Sequence, residues 1–182
     1  GTYITTPVVR NDFAKVNVKV ELDMPSDMKP ETVSVLTDIY APDGTIVASG
    51  VGGLTRFDEC VKDLQMVVQN PKLWSPETPH LYKAVTKVMK GNDTTDVYET
   101  TFGIRSLEIV PDKGFFLNGE RMVFKGTCNH HDNGPLGAVV NATAVRRKVR
   151  MLKDMGSNAY RTSHNMPEPE LVEACNEMGM MV

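Results

Sequence analysis

The chain has 182 residues, of which 41% are hydrophobic and 24% charged, and its formal net charge is −3. This composition is typical of one or two globular domains, and the slightly acidic balance gives no reason to expect a nucleic-acid partner. No apolar run approaches the roughly 20 residues that a membrane-spanning helix needs, so no membrane partner is expected. Cys60, Cys128 and Cys175 are too few and too dispersed for a disulfide framework, and we interpret them as small hydrophobic residues.

The first hundred residues have the pattern of short strands separated by turns. Val16, Val18 and Val20 alternate with polar residues, which predicts a strand with one face in a core. The predicted strands cover residues 14–22, 32–40, 45–49, 60–69, 81–89 and 94–102, and the glycine-rich residues 50–53 are expected to be flexible. About seven strands at this spacing, without a helix signal, predict an immunoglobulin-like β-sandwich over residues 1–103.

A proline-rich segment at residues 70–80 interrupts these strands. Three prolines prevent regular strand pairing, so we predict an ordered loop with Leu73 and Trp74 packed against the sandwich. Trp74 could instead stack on a sugar, but the chain has no second tryptophan to support that reading. Nothing in this half of the chain offers a catalytic group, and we interpret it as a scaffold.

Residues 104–182 follow a different pattern. Asn118 and Gly119, between two apolar runs, predict a hairpin, and a polar stretch at residues 127–135 follows. Asn141 is a good cap for a helix that ends near Gly156, with its cations mainly on the solvated side. A short strand, a helix that begins near Pro169 and a final strand at residues 180–182 complete a βαβ pattern, which indicates a parallel sheet.

Two loops of this second half contain most of the hydrogen-bonding side chains. These are His130, His131 and Asp132 in the first loop and Arg161, Ser163, His164 and Asn165 in the second. Adjacent strands of a parallel barrel would bring both loops to one rim, where such groups suit a ligand rich in hydroxyls. The alternatives are that the histidines are bound by backbone groups, or that His130, Asp132 and His164 hold a metal, although no further carboxylate supports that site.

These residues carry a resemblance to glycoside hydrolase family 2, the β-galactosidase, β-glucuronidase and β-mannosidase group. The resembling segments are residues 73–82, 102–109, 115–137 and 158–182, in the family's order. The last segment is similar to a family signature with an Asn-x-x-Arg-x-x-His-x-x-Pro core. Asn158, Arg161, His164 and Pro167 fill its four fixed positions.

The resemblance implies a sandwich followed by the first part of a (β/α)₈ barrel, at residues 104–182, in a retaining glycosidase that needs no cofactor. His130 and His164 would then contact a carbohydrate substrate or stabilise its transition state. Arg161 would orient the sugar or the catalytic carboxylates, and Asp132 and Asn165 would bind hydroxyls. β-Galactosidase is the favoured activity, with β-glucuronidase or β-mannosidase as alternatives. A non-catalytic carbohydrate-binding or spacer module is the alternative from another class.

The resemblance also implies that both catalytic glutamates lie beyond residue 182. A full barrel takes about 250 residues, so we expect the 182-residue chain alone to be inactive. Glu168 and Glu170 do not replace them, because they read as residues at the start of a helix. A partial barrel also exposes an unpaired sheet edge, and we expect the chain to self-associate through it. The sequence does not indicate a compartment.

Overall fold

The computed structural model describes residues 1–23, 33–54 and 61–182, which form two compact units. The first contains Gly1–Lys72 and Leu81–Ser106, and the second contains Leu73–His80 and Leu107–Val182. Cys60 and the predicted strand starts at residues 32 and 60 lie outside the described residues, and the domain boundary between residues 103 and 104 stays a prediction. In the described ranges, no helix is long and apolar enough to span a membrane.

The first unit is a β-sandwich, as predicted. Its strands are β1 (Thr2–Val9), β2 (Phe13–Glu21), β3 (Val33–Tyr40), β4 (Ile46–Gly53), β5 (Val61–Gln69), β6 (Tyr82–Lys90) and β7 (Asp93–Phe102). They form one sheet in the order β1-β2-β5 and another in the order β4-β3-β6-β7. Each pair of neighbouring strands is antiparallel. The expectation of an immunoglobulin-like sandwich followed by the start of a barrel is confirmed.

The alternating residues of the sandwich strands form its core. Val16 and Val18 of β2 and Val35 of β3 are fully buried, because successive side chains of a strand point to opposite faces. Thr37 and Thr86 are buried on the same core face, and their hydroxyls form a hydrogen bond of 2.9 Å. Each therefore satisfies the polar atom of the other, as buried hydroxyls require.

The sandwich differs from the sequence prediction in one strand that was missed and one that was cut short. β1 was not predicted, and its register with β2 is irregular between Thr5 and Val8, where an edge strand can accept a proline. The prediction that residues 50–53 are flexible is wrong, because β4 continues through them and pairs with β3. A Cβ at Gly52 would lie 2.7 Å from Cε of Lys62, so this glycine permits a close approach of β5.

The second unit has the strand and helix order of the opening of a (β/α)₈ barrel. Its elements are β8 (Leu107–Val110), β9 (Gly114–Leu117), β10 (Glu120–Met122), β11 (Gly126–Cys128), α1 (Ala142–Asp154), β12 (Ala159–Arg161) and α2 (Pro169–Met178). The strands β10-β9-β8 form an antiparallel sheet, and β11 pairs with β12 in parallel. Met181 adds a parallel bridge to Ala159, which marks the next strand position.

Turn and cap residues form as the sequence predicts. Asn118 and Gly119 both have positive φ, of 53° and 83°, as the two-residue hairpin turn between β9 and β10 requires. The Asn141 side chain accepts a hydrogen bond of 3.0 Å from the amide of Ala144 and caps α1. The predicted polar loop at residues 127–135 begins too early, because Thr127 and Cys128 lie in β11 and pair with β12.

The helices α1 and α2 pack over a small core. Its buried members are Val145, Val149, Leu152, Tyr160, Leu171, Ala174, Cys175 and Met180. Arg147 and Arg150 of α1 are exposed, as predicted for its cations, while two other cations make specific contacts. Arg146 binds Glu177 of α2, and Lys153 Nζ donates to the carbonyls of Pro76 and Gly179 at 2.8 and 2.9 Å.

Leu73 and Trp74 group with the second unit, whereas the sequence prediction placed them against the sandwich. The indole is 1% exposed, and its Nε1 donates a hydrogen bond of 2.8 Å to the carbonyl of Asn176 in α2. The Asn118 side chain donates to the Trp74 carbonyl at 3.0 Å. Because the ring is buried, it has no face free for the alternative role of stacking on a sugar.

Candidate functional site

Two parallel strands of the second unit position the candidate site. Gly126, Thr127 and Cys128 of β11 lie opposite Ala159, Tyr160 and Arg161 of β12 in a continuous register. The backbone amide of Asn129 donates a hydrogen bond of 2.9 Å to the backbone carbonyl of Arg161. The two chains therefore leave the sheet at the same level. We call residues 129–133 the β11 loop and residues 162–168 the β12 loop.

His130 and His164 meet across the two loops. Their ring centroids are 5.5 Å apart, and the planes are inclined by 71°, so the edge of one imidazole faces the other ring. Both residues are exposed. Ser163, just before His164, is buried and has a left-handed backbone with φ of 52°, a conformation that non-glycine residues rarely adopt. The two imidazoles can therefore present nitrogen donors and acceptors to one ligand.

The other predicted site residues lie around this pair without all converging on it. Arg161 is at the base of the loops, with Nη1 3.7 Å from Sγ of Cys128. Asp132 is committed to its own neighbourhood, because its Oδ1 accepts from the Gly134 amide at 2.9 Å and its carbonyl accepts from Lys148. Asn165 is exposed in the middle of the β12 loop, where its backbone amide donates to the Thr162 carbonyl.

A second contact between the loops joins His131 to Glu168, and sequence reasoning missed it. His131 Nε2 and Glu168 Oε2 are 2.9 Å apart, and both atoms are sealed from solvent. Neither atom has a hydrogen bond of standard geometry in the described part of the chain, so we treat the pair as a direct polar contact rather than an aligned hydrogen bond. At 2.9 Å the imidazole nitrogen is the polar partner that a carboxylate oxygen sealed from solvent needs.

The position of Glu168, immediately before α2, is a signal that could have indicated its contact with His131. Glu168 is the residue that caps the start of the helix, but its side chain makes no capping hydrogen bond. Ser, Thr, Asp and Asn are the side chains that suit that position. A glutamate there, immediately before Pro169, indicates that its carboxylate is used elsewhere.

Glu168 also influences the core below the loops. Burial raises the pKa of the Tyr160 hydroxyl to about 12, and the Glu168 carboxylate adds to that effect. Burial and then the same carboxylate raise the pKa of the Cys175 thiol to about 12. Both groups therefore stay protonated at neutral pH, and neither is a nucleophile or a base for catalysis.

A hollow of about 470 Å³ lies on the face of the paired strands. It is lined by side chains of β11 and β12, including Thr127, Cys128 and Arg161, and by Phe124 and Met181. Its size falls within the range of small-molecule sites, which are mostly apolar with a few polar groups. Arg161 belongs to both the hollow and the loop bases, so the predicted guanidinium faces a space that a ligand could occupy.

Among residues 1–23, 33–54 and 61–182, no three His, Cys, Asp or Glu side chains come together as a metal-binding group. The alternative site of His130, Asp132 and His164 therefore does not form here. The arrangement that does form is a set of hydrogen-bonding groups at the ends of two barrel strands.

Two models of one protein family match the two halves of the chain. The model for glycosyl hydrolases family 2 matches residues 1–105, and the model for the TIM barrel domain of the same family matches residues 109–182. The chain belongs to glycoside hydrolase family 2. The matched regions account for nearly the whole length, so the predicted resemblance is confirmed.

Similar proteins and structures include several members of glycoside hydrolase family 2. The chain is 41% identical over its full length to the β-galactosidase BoGH2A of Bacteroides ovatus, and it covers 22% of that protein. It is 36% identical to a putative β-glucuronidase of Formosa agariphila over 99% of the chain and 17% of that protein. The crystal structure of a family 2 member from Bacteroides cellulosilyticus superimposes on 99% of the chain with a TM-score of 0.90 and 36% identity. The matched part is 23% of the length of that protein.

The chain spans about a fifth of the length of these curated relatives. It thus corresponds to the sandwich and the opening of the barrel in a larger family 2 architecture.

Proposed function

We propose that the protein containing this segment is a retaining β-glycosidase, with β-galactosidase the favoured activity. The observation that carries the proposal is the contact between His130 and His164 at the ends of neighbouring parallel strands. Ligands of β/α barrels bind at that end of the strands. The identity of 41% to a relative named β-galactosidase supports the choice of sugar.

In this proposal the segment binds and orients the sugar and does not supply the reacting carboxyl groups. His130 and His164 contact hydroxyls of the sugar ring, and Arg161 orients the sugar or the catalytic carboxylates. Asp132 and Asn165 contribute further hydroxyl contacts. Retaining glycosidases use one carboxyl group as acid and base and another as nucleophile, and we place both outside residues 1–182.

Hydrolysis of nitrophenyl glycosides tests this division of roles. The full-length protein is expected to release nitrophenol from a β-galactoside, while the purified 182-residue chain releases none above a buffer blank. Turnover by the 182-residue chain would contradict the placement of both carboxyl groups outside it. A full-length protein that hydrolyses no β-glycoside would contradict the proposed activity itself.

The alternatives within the same reaction class are β-glucuronidase and β-mannosidase activity. The similarity to a putative β-glucuronidase at 36% identity is the observation that keeps the first of these open. The same assay separates them when β-galactoside, β-glucuronide and β-mannoside substrates are compared by kcat/KM. The highest value identifies the sugar, because discrimination between substrates is the ratio of their kcat/KM values.

A non-catalytic carbohydrate-binding or spacer module is the alternative from another class. A glycan array probed with the wild-type chain and with Arg161→Ala distinguishes the two readings. Binding that is lost in the variant supports a sugar site at the barrel strands. Binding that survives the substitution points to the sandwich as the carbohydrate-binding part.

A further inference from the structure

Three contacts, made by successive residues of the β11 loop, join it to the end of β12 and to the β12 loop. The backbone amide of Asn129 donates to the Arg161 carbonyl at 2.9 Å. The rings of His130 and His164 lie 5.5 Å apart. The imidazole of His131 meets the carboxylate of Glu168 at 2.9 Å. The exposed histidine of the β11 loop therefore lies, along the chain, between a residue held by a backbone bond and one held by a sealed side-chain contact.

Glu168 is held in place more firmly than His130 and His164. Its side chain is 11% exposed, and His131 is 29% exposed, whereas His130 and His164 are open to solvent. Glu168 is also the N-cap residue of α2, and Leu171 and Ala174 of that helix are buried in the core. The contact therefore ties the β11 loop to a rigid element through His131, the direct neighbour of His130.

While its carboxylate contacts His131, Glu168 does not cap the free amide groups at the start of α2. The loss of that capping bond indicates that the contact with His131 is itself favourable. A carboxylate at the start of a helix is stabilising when it binds the free amide groups there. Glu168 makes no such bond and instead has its oxygen sealed against an imidazole. Burial of a carboxylate is unfavourable unless it is paired, so the position of the β11 loop and the burial of Glu168 depend on each other.

We infer that Glu168, acting through His131, is a positioning residue that sets the separation and tilt of His130 and His164 for sugar binding. The inference rests on the proposed function, since it concerns the same site. Glu168 itself contacts no sugar in this scheme. Its effect reaches the substrate through the β11 loop, and a misplacement of catalytic or binding groups by about 1 Å can lower the rate by about a hundredfold.

The test uses the full-length protein with Glu168→Ala and Glu168→Gln, and Glu170→Ala as the matched control. Glu170 is in the first turn of the same helix, so its removal makes a similar change of charge without removing the contact to His131. We expect Glu168→Ala to lower kcat/KM on the preferred nitrophenyl β-glycoside by about tenfold to a hundredfold, mainly through kcat. Glu170→Ala is expected to stay within about twofold of the wild type.

Glu168→Gln keeps the size of the side chain and a hydrogen-bonding oxygen, and it remains informative if the alanine variant fails to fold. It is expected to have a kcat/KM between those of Glu168→Ala and the wild type. His131→Ala is expected to lower kcat/KM as Glu168→Ala does, and the double variant to lose no more than the worse single variant. This non-additivity is the signature of two residues that act through one contact.

Two results would overturn the inference. The first is a folded Glu168→Ala or His131→Ala protein with wild-type kcat/KM, even if its melting temperature is lower, because the contact would then be only structural. The second is a crystal structure of Glu168→Ala or His131→Ala in which the His130 and His164 rings keep their wild-type separation and tilt while kcat/KM falls.

The crystallographic measurement also separates this inference from the proposed function. If the wild-type protein hydrolyses no β-glycoside, the proposed function fails, and the ring geometry of Glu168→Ala or His131→Ala alone decides the inference. Rings that move apart support Glu168 as a positioning residue. Rings that stay at the wild-type separation of 5.5 Å overturn it.

Discussion

Replacing Gly126 with alanine would force apart the two parallel strands that carry the candidate site. Gly126 begins β11 and lies opposite Ala159 of β12. A Cβ at this position would be 2.0 Å from the Ala159 carbonyl oxygen and 2.7 Å from its carbonyl carbon. Both atoms belong to the backbone, so no side-chain rotation can relieve the clash.

The size of the effect follows from that geometry. A carbon and a carbonyl oxygen need about 3.3 Å, so the strands must separate by about 1 Å. The bonds from Asn129 to the Arg161 carbonyl at 2.9 Å and from Asn158 to the Lys125 carbonyl at 2.8 Å would then exceed normal hydrogen-bond length. Overpacking costs about 1–3 kcal/mol and a lost hydrogen bond about 1 kcal/mol. With both hydrogen bonds lost, we therefore expect the free energy of unfolding of the second unit to fall by about 3–5 kcal/mol.

Tryptophan fluorescence during urea unfolding of the 182-residue chain measures this change directly. The chain has one tryptophan, Trp74, and it is buried in the second unit. Its emission therefore reports the unit that contains Gly126. At a protein concentration where the midpoint no longer varies, a loss of about 4 kcal/mol shifts the urea midpoint by about 2 M.

Gly53→Ala is the matched control. Gly53 is also a glycine in a strand, in the sandwich, and a Cβ there meets no atom within 4 Å. Its substitution should leave the Trp74 midpoint unchanged. A Gly126→Ala chain whose unfolding free energy falls by less than about 0.5 kcal/mol would refute the close approach of β11 and β12.

Three further predictions concern the buried groups and the edge of the second unit. Trp74→Ala should lower the unfolding free energy by about 3–5 kcal/mol and Trp74→Phe by about 1–2 kcal/mol, as measured by circular dichroism; equal losses would mean that the ring is not packed. At pH 8 a maleimide should modify the exposed Cys128 and spare Cys175, whose pKa burial raises to about 12. That raised pKa contributes stability that is present below the ordinary thiol range and is lost as the pH rises towards 12, so stability that rises with pH above about 9 would contradict it. Analytical ultracentrifugation of the 182-residue chain should show concentration-dependent association through the barrel edge, and a monomer at every concentration would contradict that expectation.

The architecture was largely predictable because local patterns and packing agree in most elements. The alternation of Val16, Val18 and Val20 is the pattern of a sandwich strand, and these side chains are buried. Asn118–Gly119 and Gly179 occupy the left-handed positions that turns and helix ends need. At these positions the residue type alone indicates the backbone conformation that the structure adopts.

The errors occur where tertiary contacts decide. Nothing local to Trp74 indicates that it binds α2 rather than the sandwich, because its hydrogen-bond partner is 102 positions away. Glycines at residues 50–53 have the composition of a flexible segment, but packing against Lys62 and Met66 keeps them in a strand.

One of the two side-chain contacts between the loops of the candidate site was predictable, and the other was not. His130 and His164 could be brought together because both follow strands of one parallel sheet. The contact between His131 and Glu168 could not, because it depends on the exact path of two loops. Asp132 and Asn165 remain predicted sugar-binding residues.

The most direct test of the sugar-binding site is the kcat/KM of the full-length protein after single substitution of its histidines. His130→Ala and His164→Ala remove the two imidazoles that meet across the loops, and His80→Ala is the control, because His80 lies in the segment Leu73–His80 of the same unit. The account predicts that each of the first two lowers kcat/KM on the preferred β-glycoside by about a hundredfold or more, with His80→Ala near the wild type. Wild-type kcat/KM in both His130→Ala and His164→Ala would contradict the account.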